Sequence, residues 1–371
     1  MKHWHNFDLQ LISIPSGLVA FGVLVLFAIS RWPTSGVTVS IPVHQAIYAL
    51  MGLVLMLALT NLDYRLLKPL ATPLYIFSVL FLVVVLGLGH SAYGAERWVN
   101  LGVLPLQPSE PAKLILIIIL AKFFSDHEHD LDRGWTVVKS LGLVALPLGL
   151  VLYQPDLGTS AVFLAIWLGM ALMAGIRPAH LAILGAIAAA VLPVLWIVVG
   201  HLKRFQYMQE RLLIFLDPHK APLGAGYNVI HSQITVGSGG LLGQWFQVGT
   251  QSQLGLLRVE DKDFIFSVIA EQIGFLGVLI LFLVFVALLL RIARVSFMSA
   301  DSYGRLLGSG ILAMIMFQVF VNIGMNLGIM PVTGIPLPLI SYGGSSLITT
   351  LASLGILQSV LLRHQKLVFN P

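Results

Sequence analysis

The chain has 371 residues, of which 57% are hydrophobic and only 10% are charged, and its mean hydropathy is +0.92. This composition excludes a soluble globular protein and predicts an all-α, polytopic membrane protein that forms one integral membrane domain over residues 1–371. The formal net charge of +5 does not indicate a nucleic-acid partner, because no basic stripe with interleaved aromatic residues occurs, and the lack of cysteine excludes disulfides and thiolate chemistry.

Ten apolar runs are long enough to be predicted as transmembrane helices, for which about 20 mostly apolar residues are needed. The runs are 11–30, 43–60, 70–89, 109–124, 140–154, 157–175, 180–200, 264–290, 305–328 and 343–362. The first is predicted to be an uncleaved span, since its apolar stretch is longer than that of a secretory signal. The fourth and fifth runs are short and carry proline and charge, which is typical of a broken or tilted helix.

The basic residues predict the orientation in the membrane. With the N-terminus inside, the inner loops and tails carry twelve Lys or Arg, whereas the short outer loops carry two, Arg31 and Arg97. Because cytoplasmic loops are enriched in basic residues, both termini are predicted to be cytoplasmic. The segment 201–263, between spans 7 and 8, is then a large extracytoplasmic loop.

This outer loop is predicted to be structured. Apolar residues recur at helical spacing over Arg204–Leu216 and again over Tyr227–Thr235. A glycine-rich run follows, in which Gly239 and Gly240 lie side by side. Such a run either lets backbone amides approach an anionic ligand or serves as a flexible hinge, and the residues alone leave both interpretations open.

Two sites in the first half of the chain place polar chemistry at membrane depth. Glu110 and Lys113 lie three residues apart at a helix start and therefore share a face, which predicts that they pair. Lys113 then either contacts a phosphate group or extends to the interface while Glu110 helps to cap the helix. Asp156 is either the N-cap of the next helix or an inward carboxylate that orients Lys113, Arg97 or a bound cation.

A third site lies where the outer loop enters span 8. Asp263 stands at this junction, where a carboxylate can meet both an aqueous group and a lipid. Glu271 follows eight residues later, near the same helical face, and is either a second member of the site or the partner of a buried basic group.

Two further segments carry concentrated polar residues. Before the last span, a proline-rich turn exposes the amides of Ser341, Gly343 and Gly344 at a helix N-terminus, which suits an anion, although a tightly packed re-entrant turn is the alternative. The acidic segment Asp126–Asp132 is predicted to be a solvated cytoplasmic loop, because nothing fixes a metal-binding geometry there. Gly304 and Gly308 are predicted to allow close helix packing.

Several motifs, taken in chain order, carry a resemblance to a known family. They are Arg97-Trp98, Gln107-Pro108-Ser109-Glu110, Gln154-Pro155-Asp156-Leu157-Gly158-Thr159, Asp217-Pro218, Gly237-Ser238-Gly239-Gly240, Asp263-Phe264-Ile265-Phe266 and Ser341-Tyr342-Gly343-Gly344. Together they resemble the SEDS (shape, elongation, division and sporulation) proteins, and within them the elongation members of the RodA type. The resemblance spans most of the chain.

The resemblance implies a peptidoglycan glycosyltransferase of the bacterial cytoplasmic (inner) membrane that polymerises lipid II during cell elongation. It implies a class B penicillin-binding protein, a transpeptidase, as partner, together with other membrane proteins of the elongation complex. The family's essential outer-loop aspartate corresponds to Asp263, and its membrane Glu, Lys and Asp correspond to Glu110, Lys113 and Asp156. The chain departs from its relatives at Lys262 and Gln272, where Thr and Glu are frequent.

The implied chemistry assigns a role to each candidate. Asp263 would be the general base for inverting transfer of the disaccharide, with an extracytoplasmic active site. The charge of the leaving pyrophosphate would be met by Lys113, Arg97 and the glycine-rich turns, supported by Glu271, or by a divalent cation (Mg²⁺ or Mn²⁺) on Asp156 or Asp263. The alternative function is a flippase or transporter of the lipid-linked precursor, which needs a polar path from both sides.

Overall fold

The structure is a computed structural model that describes residues 7–31, 38–88, 90–92, 95–100, 105–199, 203–220, 224, 226–245, 252, 254, 256–257 and 261–363. Twelve helices in this part of the chain are α1 (Gln10–Ile29), α2 (Ser40–Asn61), α3 (Leu67–Leu88), α4 (Ser109–Asp126), α5 (Gly134–Tyr153), α6 (Leu157–Ala174), α7 (Pro178–Val199), α8 (Lys203–Leu216), α9 (Tyr227–Ser238), α10 (Ile265–Met298), α11 (Ser302–Asn326) and α12 (Gly344–Leu362). Each of the ten predicted runs falls on one of them, which confirms the all-α class.

Eight helices among the described residues are long and apolar enough to cross a membrane. They are α1, α2, α3, α5, α6, α10, α11 and α12. Of the other two that coincide with predicted runs, α4 carries charged residues at both ends, and α7 is apolar over Pro178–Val191. Both α4 and α5 are continuous, so the predicted break is wrong there. In α4 the reason is that Pro111 lies in the first turn, where a missing N–H costs no hydrogen bond.

The segments between the apolar helices add two further helices and a small sheet. The two helices predicted within residues 201–263 are confirmed as α8 and α9. Between α3 and α4 the chain forms three short antiparallel strands in the order β1-β2-β3, which the sequence analysis did not predict. They are β1 (His90–Ala92), β2 (Ala95–Asn100) and β3 (Pro105–Leu106).

The centre of the helix bundle is formed by α11 and α12. Of their most apolar windows, 72% and 94% of the residues are buried, compared with 22% for α10. Close packing of α12 on α2 depends on small residues: a Cβ added to Gly355 would lie 2.5 Å from the Met56 carbonyl oxygen. On α11, Gly308 packs likewise against Ser296 of α10, which confirms its predicted role.

The break in the membrane helices lies in α10, at Gly274, whose φ of +65° and ψ of −173° are not helical. The glycine-rich run crosses α10 at this point. Phe275 N donates to Gly240 O at 2.9 Å, and Trp245 N donates to Gln272 O at 2.9 Å.

Side chains have no room at this crossing. A Cβ on Gly239 would lie 2.1 Å from the Ala270 carbonyl oxygen, and one on Gly243 would lie 2.3 Å from the Gln272 carbonyl oxygen. The glycines therefore allow two backbones to touch, a role that the sequence analysis did not weigh, and the hinge interpretation is wrong for them.

Ion pairs join neighbouring helices at the end of the bundle that carries the acidic segment Asp126–Asp132. Within the acidic segment, Asp126 pairs with Lys68 at 2.8 Å, and Asp132 pairs with Arg177 at 2.7 Å. No group of three or more His, Asp or Glu side chains among the described residues could hold a metal ion. The charges of the acidic segment therefore tie neighbouring helices together. Helix α10 continues to Met298, past the predicted end of its run at residue 290. In this additional part, Arg291 pairs with Asp8, which lies just before α1.

Candidate active site

Asp263 lies directly before α10 and is half-buried, and the backbone around it is held by the re-entrant turn that precedes α12. Tyr342 N donates to the Asp261 carbonyl oxygen at 2.9 Å. The hydroxyl of Ser341 donates to the Lys262 carbonyl oxygen at 2.6 Å and accepts a hydrogen bond from a backbone amide of its own turn. Two consecutive carbonyl groups are thus fixed before the chain reaches Asp263.

The third carbonyl group of this segment is held by α11. The side-chain amides of Asn322 and Asn326 donate to the Asp263 carbonyl oxygen at 3.1 and 3.0 Å. Asn322 donates a second hydrogen bond, of 2.8 Å, to the carbonyl oxygen of Ile335 in the turn. The peptide that carries Asp263 is therefore fixed from two sides, while its carboxylate remains outside these bonds.

The carboxylate of Asp263 faces Gly334 and the guanidinium of Arg211. A Cβ on Gly334, whose φ is +74°, would lie 3.5 Å from Asp263 Oδ2 and 3.7 Å from Arg211 Nη1. Arg211 reaches this position from α8 and donates to the Val332 carbonyl oxygen at 3.0 Å. The amphipathic helix α8 thus places a positively charged side chain near the candidate base.

The electrostatic environment favours a base near neutral pH. Burial raises the pKa of Asp263 from its ordinary value to about 6. The positive charges of Arg211 and Lys262 lower this pKa, whereas the negative charges of Asp261 and Asp156 raise it. At pH 7 the carboxylate is mostly ionised, and its pKa is close enough to neutrality for it to accept a proton in a transition state.

Asp156 stands at the N-terminus of α6 and performs the predicted capping role. Its Oδ1 accepts a hydrogen bond from Thr159 N at 3.1 Å, and its Oδ2 accepts one from Gln107 Nε2 at 3.3 Å. The adjacent Gly158 packs against the segment around Gly334, since its Cβ would lie 2.7 Å from the Thr333 carbonyl oxygen. This contact places the cap beside the turn that faces Asp263, so Asp156 both caps α6 and adds its charge to the site.

Glu110 and Lys113 form the predicted pair inside the protein. Lys113 Nζ lies 2.8 Å from Glu110 Oε2, and their side chains are only 2% and 5% exposed. The interpretation in which Lys113 extends to the membrane interface is therefore wrong. Pro108 stands at the N-cap of α4, so Ser109 and Glu110 lie in the first turn of the helix and not at the cap position.

The glycines of the last turn serve its packing. Gly343 N donates to Gln45 Oε1 on α2 at 3.2 Å, and Gly344 begins α12. A Cβ on Gly22 of α1 would lie 2.7 Å from the Ile340 carbonyl oxygen. These contacts support the tightly packed re-entrant turn, and they occupy the Gly343 amide together with the Ser341 hydroxyl described above.

Glu271 is fully buried and ties the outer loop to α10. Its carboxylate accepts hydrogen bonds from Ser238 Oγ at 3.3 Å, from Ser252 N at 3.2 Å and from the Ser252 hydroxyl. It lies next to the glycine crossing that contains Gly239 and Gly240. Arg97 lies on β2, and its side chain is outside the described part of the chain.

Three residues at this site were missed by the sequence analysis. Asn322 and Asn326 could have been found from the sequence, because two amides four residues apart in an apolar span fall on one helical face. Arg211 could not, since a basic residue on an amphipathic outer helix is ordinary.

The comparison with known proteins agrees with this architecture. The FtsW/RodA/SpoVE family model, described as cell cycle protein, matches residues 9–366. The peptidoglycan glycosyltransferase MrdB of Escherichia coli is 37% identical over 343 residues, which cover 92% of this chain and 91% of that protein.

Two solved structures share the fold along nearly the whole length. A chain of a peptidoglycan synthase complex that coordinates polymerisation and crosslinking has a TM-score of 0.80 and 36% identity, covering 96% of this chain and 97% of its own. The rod shape determining protein RodA of Thermus thermophilus has a TM-score of 0.70 and 34% identity, and 96% of each chain is covered. The family match, the identity over nine-tenths of the sequence and the common fold together establish that this chain belongs to the FtsW/RodA/SpoVE family of cell cycle proteins.

Proposed function

We propose that the chain is a peptidoglycan glycosyltransferase that polymerises lipid II by inverting transfer, with Asp263 as the general base. The observation that carries the proposal is the half-buried Asp263 carboxylate, which lies beside Gly334, as the Arg211 guanidinium also does, on a backbone fixed by hydrogen bonds. An acid at the point where an outer loop enters the membrane suits a substrate with a polar headgroup and a lipid tail.

The proposed step is a single displacement at the anomeric carbon. The acceptor sugar hydroxyl gives its proton to Asp263 as its oxygen forms the new glycosidic bond. The bond from the anomeric carbon to the lipid pyrophosphate breaks on the opposite face, and its electron pair leaves with the pyrophosphate. The configuration at the anomeric carbon is therefore inverted.

The leaving group gains negative charge, which cations must offset. Lys113 and Arg97 are the proposed contacts for the pyrophosphate, and Asp156 would orient them. The packed turn that contains Ser341, Gly343 and Gly344 would line one side of the site. Glu110 pairs with Lys113 and so holds its side chain in place. Glu271, with Gly239 and Gly240, supports the site by fixing the outer loop on α10.

We infer the cellular setting of the enzyme from its family and from the distribution of basic residues over the loops. Both termini lie in the cytoplasm of a bacterial cell, the chain lies in the inner membrane, and Asp263 faces the outer medium. The solved synthase complex that shares the fold combines polymerisation with crosslinking. We infer that a class B penicillin-binding protein is the partner here, together with other membrane proteins of the elongation complex.

The test is polymerisation of lipid II by the purified full-length chain in detergent, alone and with the transpeptidase partner, with glycan length read on a gel. We expect glycan chains to form. A flippase would yield no polymer, because detergent removes the two sides between which it works. Absence of polymer even with the partner would contradict the glycosyltransferase function.

The rate should depend on pH through the titration of Asp263. Its pKa is raised to about 6, so the ionised form that can accept a proton is lost as the pH falls through this value, and polymerisation should fall with it. In Arg211→Ala the loss of a neighbouring positive charge raises the pKa of Asp263 further, which moves the midpoint of the pH–rate curve to higher pH. Arg211→Lys keeps the charge and should shift the midpoint less. A midpoint that is equal in all three proteins would contradict the assignment of this titration to Asp263.

A divalent cation is proposed as an aid to the leaving group. Mg²⁺ is commonly bound by one or two carboxylates together with substrate phosphates, and Asp156, the carboxylate beside the site that does not act as the base, would hold it. The cation would neutralise charge on the pyrophosphate. We expect a chelator to lower the polymerisation rate and added Mg²⁺ or Mn²⁺ to restore it. An unchanged rate in the presence of chelator would contradict a role for a divalent cation. Lys113 and Arg97 would then be the groups that neutralise the pyrophosphate.

A further inference from the structure

A buried polar network on α11 ends at the peptide that carries Asp263. Asn322 and Asn326 are both fully buried and lie four residues apart on one face of the helix. Polar amides inside an apolar bundle cost free energy unless they are hydrogen-bonded. Their hydrogen-bond partners therefore indicate which groups they hold in place. Each of these two amides donates to the Asp263 carbonyl oxygen.

The orientation of both amides is determined by their surroundings. Asn326 Nδ2 faces two carbonyl oxygens, those of Asp263 and Asn322, at 3.0 and 2.8 Å. Its Oδ1 faces two donors, the backbone N and the hydroxyl of Ser267, at 3.3 and 2.6 Å. A flipped amide would place oxygen against oxygen and nitrogen against donors, so only one orientation fits. The orientation of Asn322 is determined by its Nδ2 alone, which faces the carbonyl oxygens of Asp263 and Ile335, since its buried Oδ1 has no hydrogen-bond partner in the described part of the chain.

The network continues into the outer loop. The hydroxyl of Ser232, on α9, lies 2.7 Å from the Ser267 hydroxyl and 2.8 Å from the Asn326 carbonyl oxygen. Through Asn322 it also reaches the turn that presents Gly334 to the Asp263 carboxylate. The pair of asparagines therefore joins the outer loop, the start of α10 and the re-entrant turn at a single peptide group.

We propose that Asn322 and Asn326 are positioning residues, which fix the Asp263 peptide and so hold its carboxylate at the acceptor hydroxyl. The inference rests on the proposed function. Two donors on one carbonyl oxygen restrict rotation of the peptide plane. The Asp263 side chain is attached to the neighbouring Cα atom, so its position is restricted as well. A general base must be held within hydrogen-bond reach of its proton, and a displacement of about 1 Å can cost about 100-fold in rate.

The same clamp keeps the carboxylate in its partly desolvated position. The charged or titratable groups that act on Asp263 or on its flanking backbone from the neighbouring elements are Arg211 on α8, Asp156 at the cap of α6, Lys262 and Asp261 in its own segment, and Tyr342 in the turn. From α11 the contacts to Asp263 are the two neutral amides. When the clamp is loosened, Asp263 gains access to water, and its pKa falls towards the ordinary value of an aspartate.

The experiment compares Asn322→Ala, Asn326→Ala and the double variant with Gln318→Ala in the lipid II polymerisation assay. Gln318 is a matched control, because it is a buried amide one turn earlier on α11 and its Oε1 has no hydrogen-bond partner in the described part of the chain. We expect kcat to fall about tenfold in each single variant and about 100-fold in the double variant. We expect KM for lipid II to stay within about twofold, since these residues lie behind the base.

The pH profile separates positioning from loss of folded protein. In the asparagine variants the midpoint of the pH–rate curve should move to lower pH, whereas Gln318→Ala should keep the wild-type midpoint. A variant that is only less stable loses amplitude in proportion to its folded fraction, which thermal unfolding reports, and keeps the midpoint. That result in the asparagine variants would overturn the proposal.

Ser267→Ala covers the case in which an asparagine variant does not fold. It removes the hydroxyl that orients Asn326 and leaves both amides in place, so we expect a smaller fall in kcat with an acid shift in the same direction. A wild-type rate and midpoint in Ser267→Ala and in the folded asparagine variants would overturn positioning. The proposed function fails differently: wild type itself would make no polymer, or Asp263→Asn would remain active.

Discussion

Asp263→Asn is expected to lower the rate of glycan polymerisation about 10²- to 10⁴-fold, the contribution that a positioned general base makes. The substitution keeps the size and shape of the side chain and removes its ability to accept a proton. The anchors of this segment bond to its backbone carbonyl groups, so they remain in place in the variant. The folded structure and the thermal unfolding midpoint should therefore stay close to those of wild type.

The control for this substitution is Asp217→Asn, which makes the same chemical change in the same outer loop. Asp217 bonds to His219 N at 3.2 Å and pairs with Lys220 at 3.8 Å, at the end of α8. We expect this variant to polymerise lipid II at the wild-type rate. Polymerisation by Asp263→Asn at a rate near that of wild type would exclude Asp263 as the base.

Breaking the buried pair of Glu110 and Lys113 is expected to have the largest effect on stability. Glu110→Gln or Lys113→Met leaves one buried charge without its partner, which typically costs about 3–5 kcal/mol. The double variant removes both charges and should recover most of the lost stability, because a neutral, well-packed pair carries no uncompensated charge. Thermal unfolding in detergent measures all three variants.

Activity in the double variant distinguishes two roles of Lys113. If the cation contacts the pyrophosphate, the folded double variant remains inactive although its stability has recovered. Wild-type activity in a folded double variant would mean that the pair serves structure alone. Lys68, which pairs with Asp126, is the control, and Lys68→Met should alter neither property strongly because that pair is partly exposed.

The parts of the fold that the sequence predicted best were those with a strong local signal. Apolar runs of about 20 residues located the membrane helices, and the apolar spacing of Arg204–Leu216 located α8. The pairing of Glu110 with Lys113 followed from their spacing, and the capping role of Asp156 followed from its position before α6. Each of these depends on residues that lie within one helix or directly before it.

Contacts between distant segments were not predictable in the same way. The glycine-rich run looked like a hinge or an anion site because its partner, the break at Gly274, lies some thirty residues away along the chain. Ser341 and Gly343 looked like anion ligands, yet their polar groups bond to Lys262 and Gln45, which no local pattern connects with them. Arg211 reaches the site only because α8 folds back over Gly334.

The order in which the anchors of Asp263 are synthesised has a consequence for biogenesis. The aspartate emerges from the ribosome roughly 60 to 80 residues before its amide, hydroxyl and backbone donors, which lie in α11 and in the turn before α12. A nascent or truncated chain that ends after α10 therefore contains the carboxylate without the groups that fix it. The peptide of Asp263 can therefore be fixed only after α11 and the turn before α12 have been synthesised and packed against it.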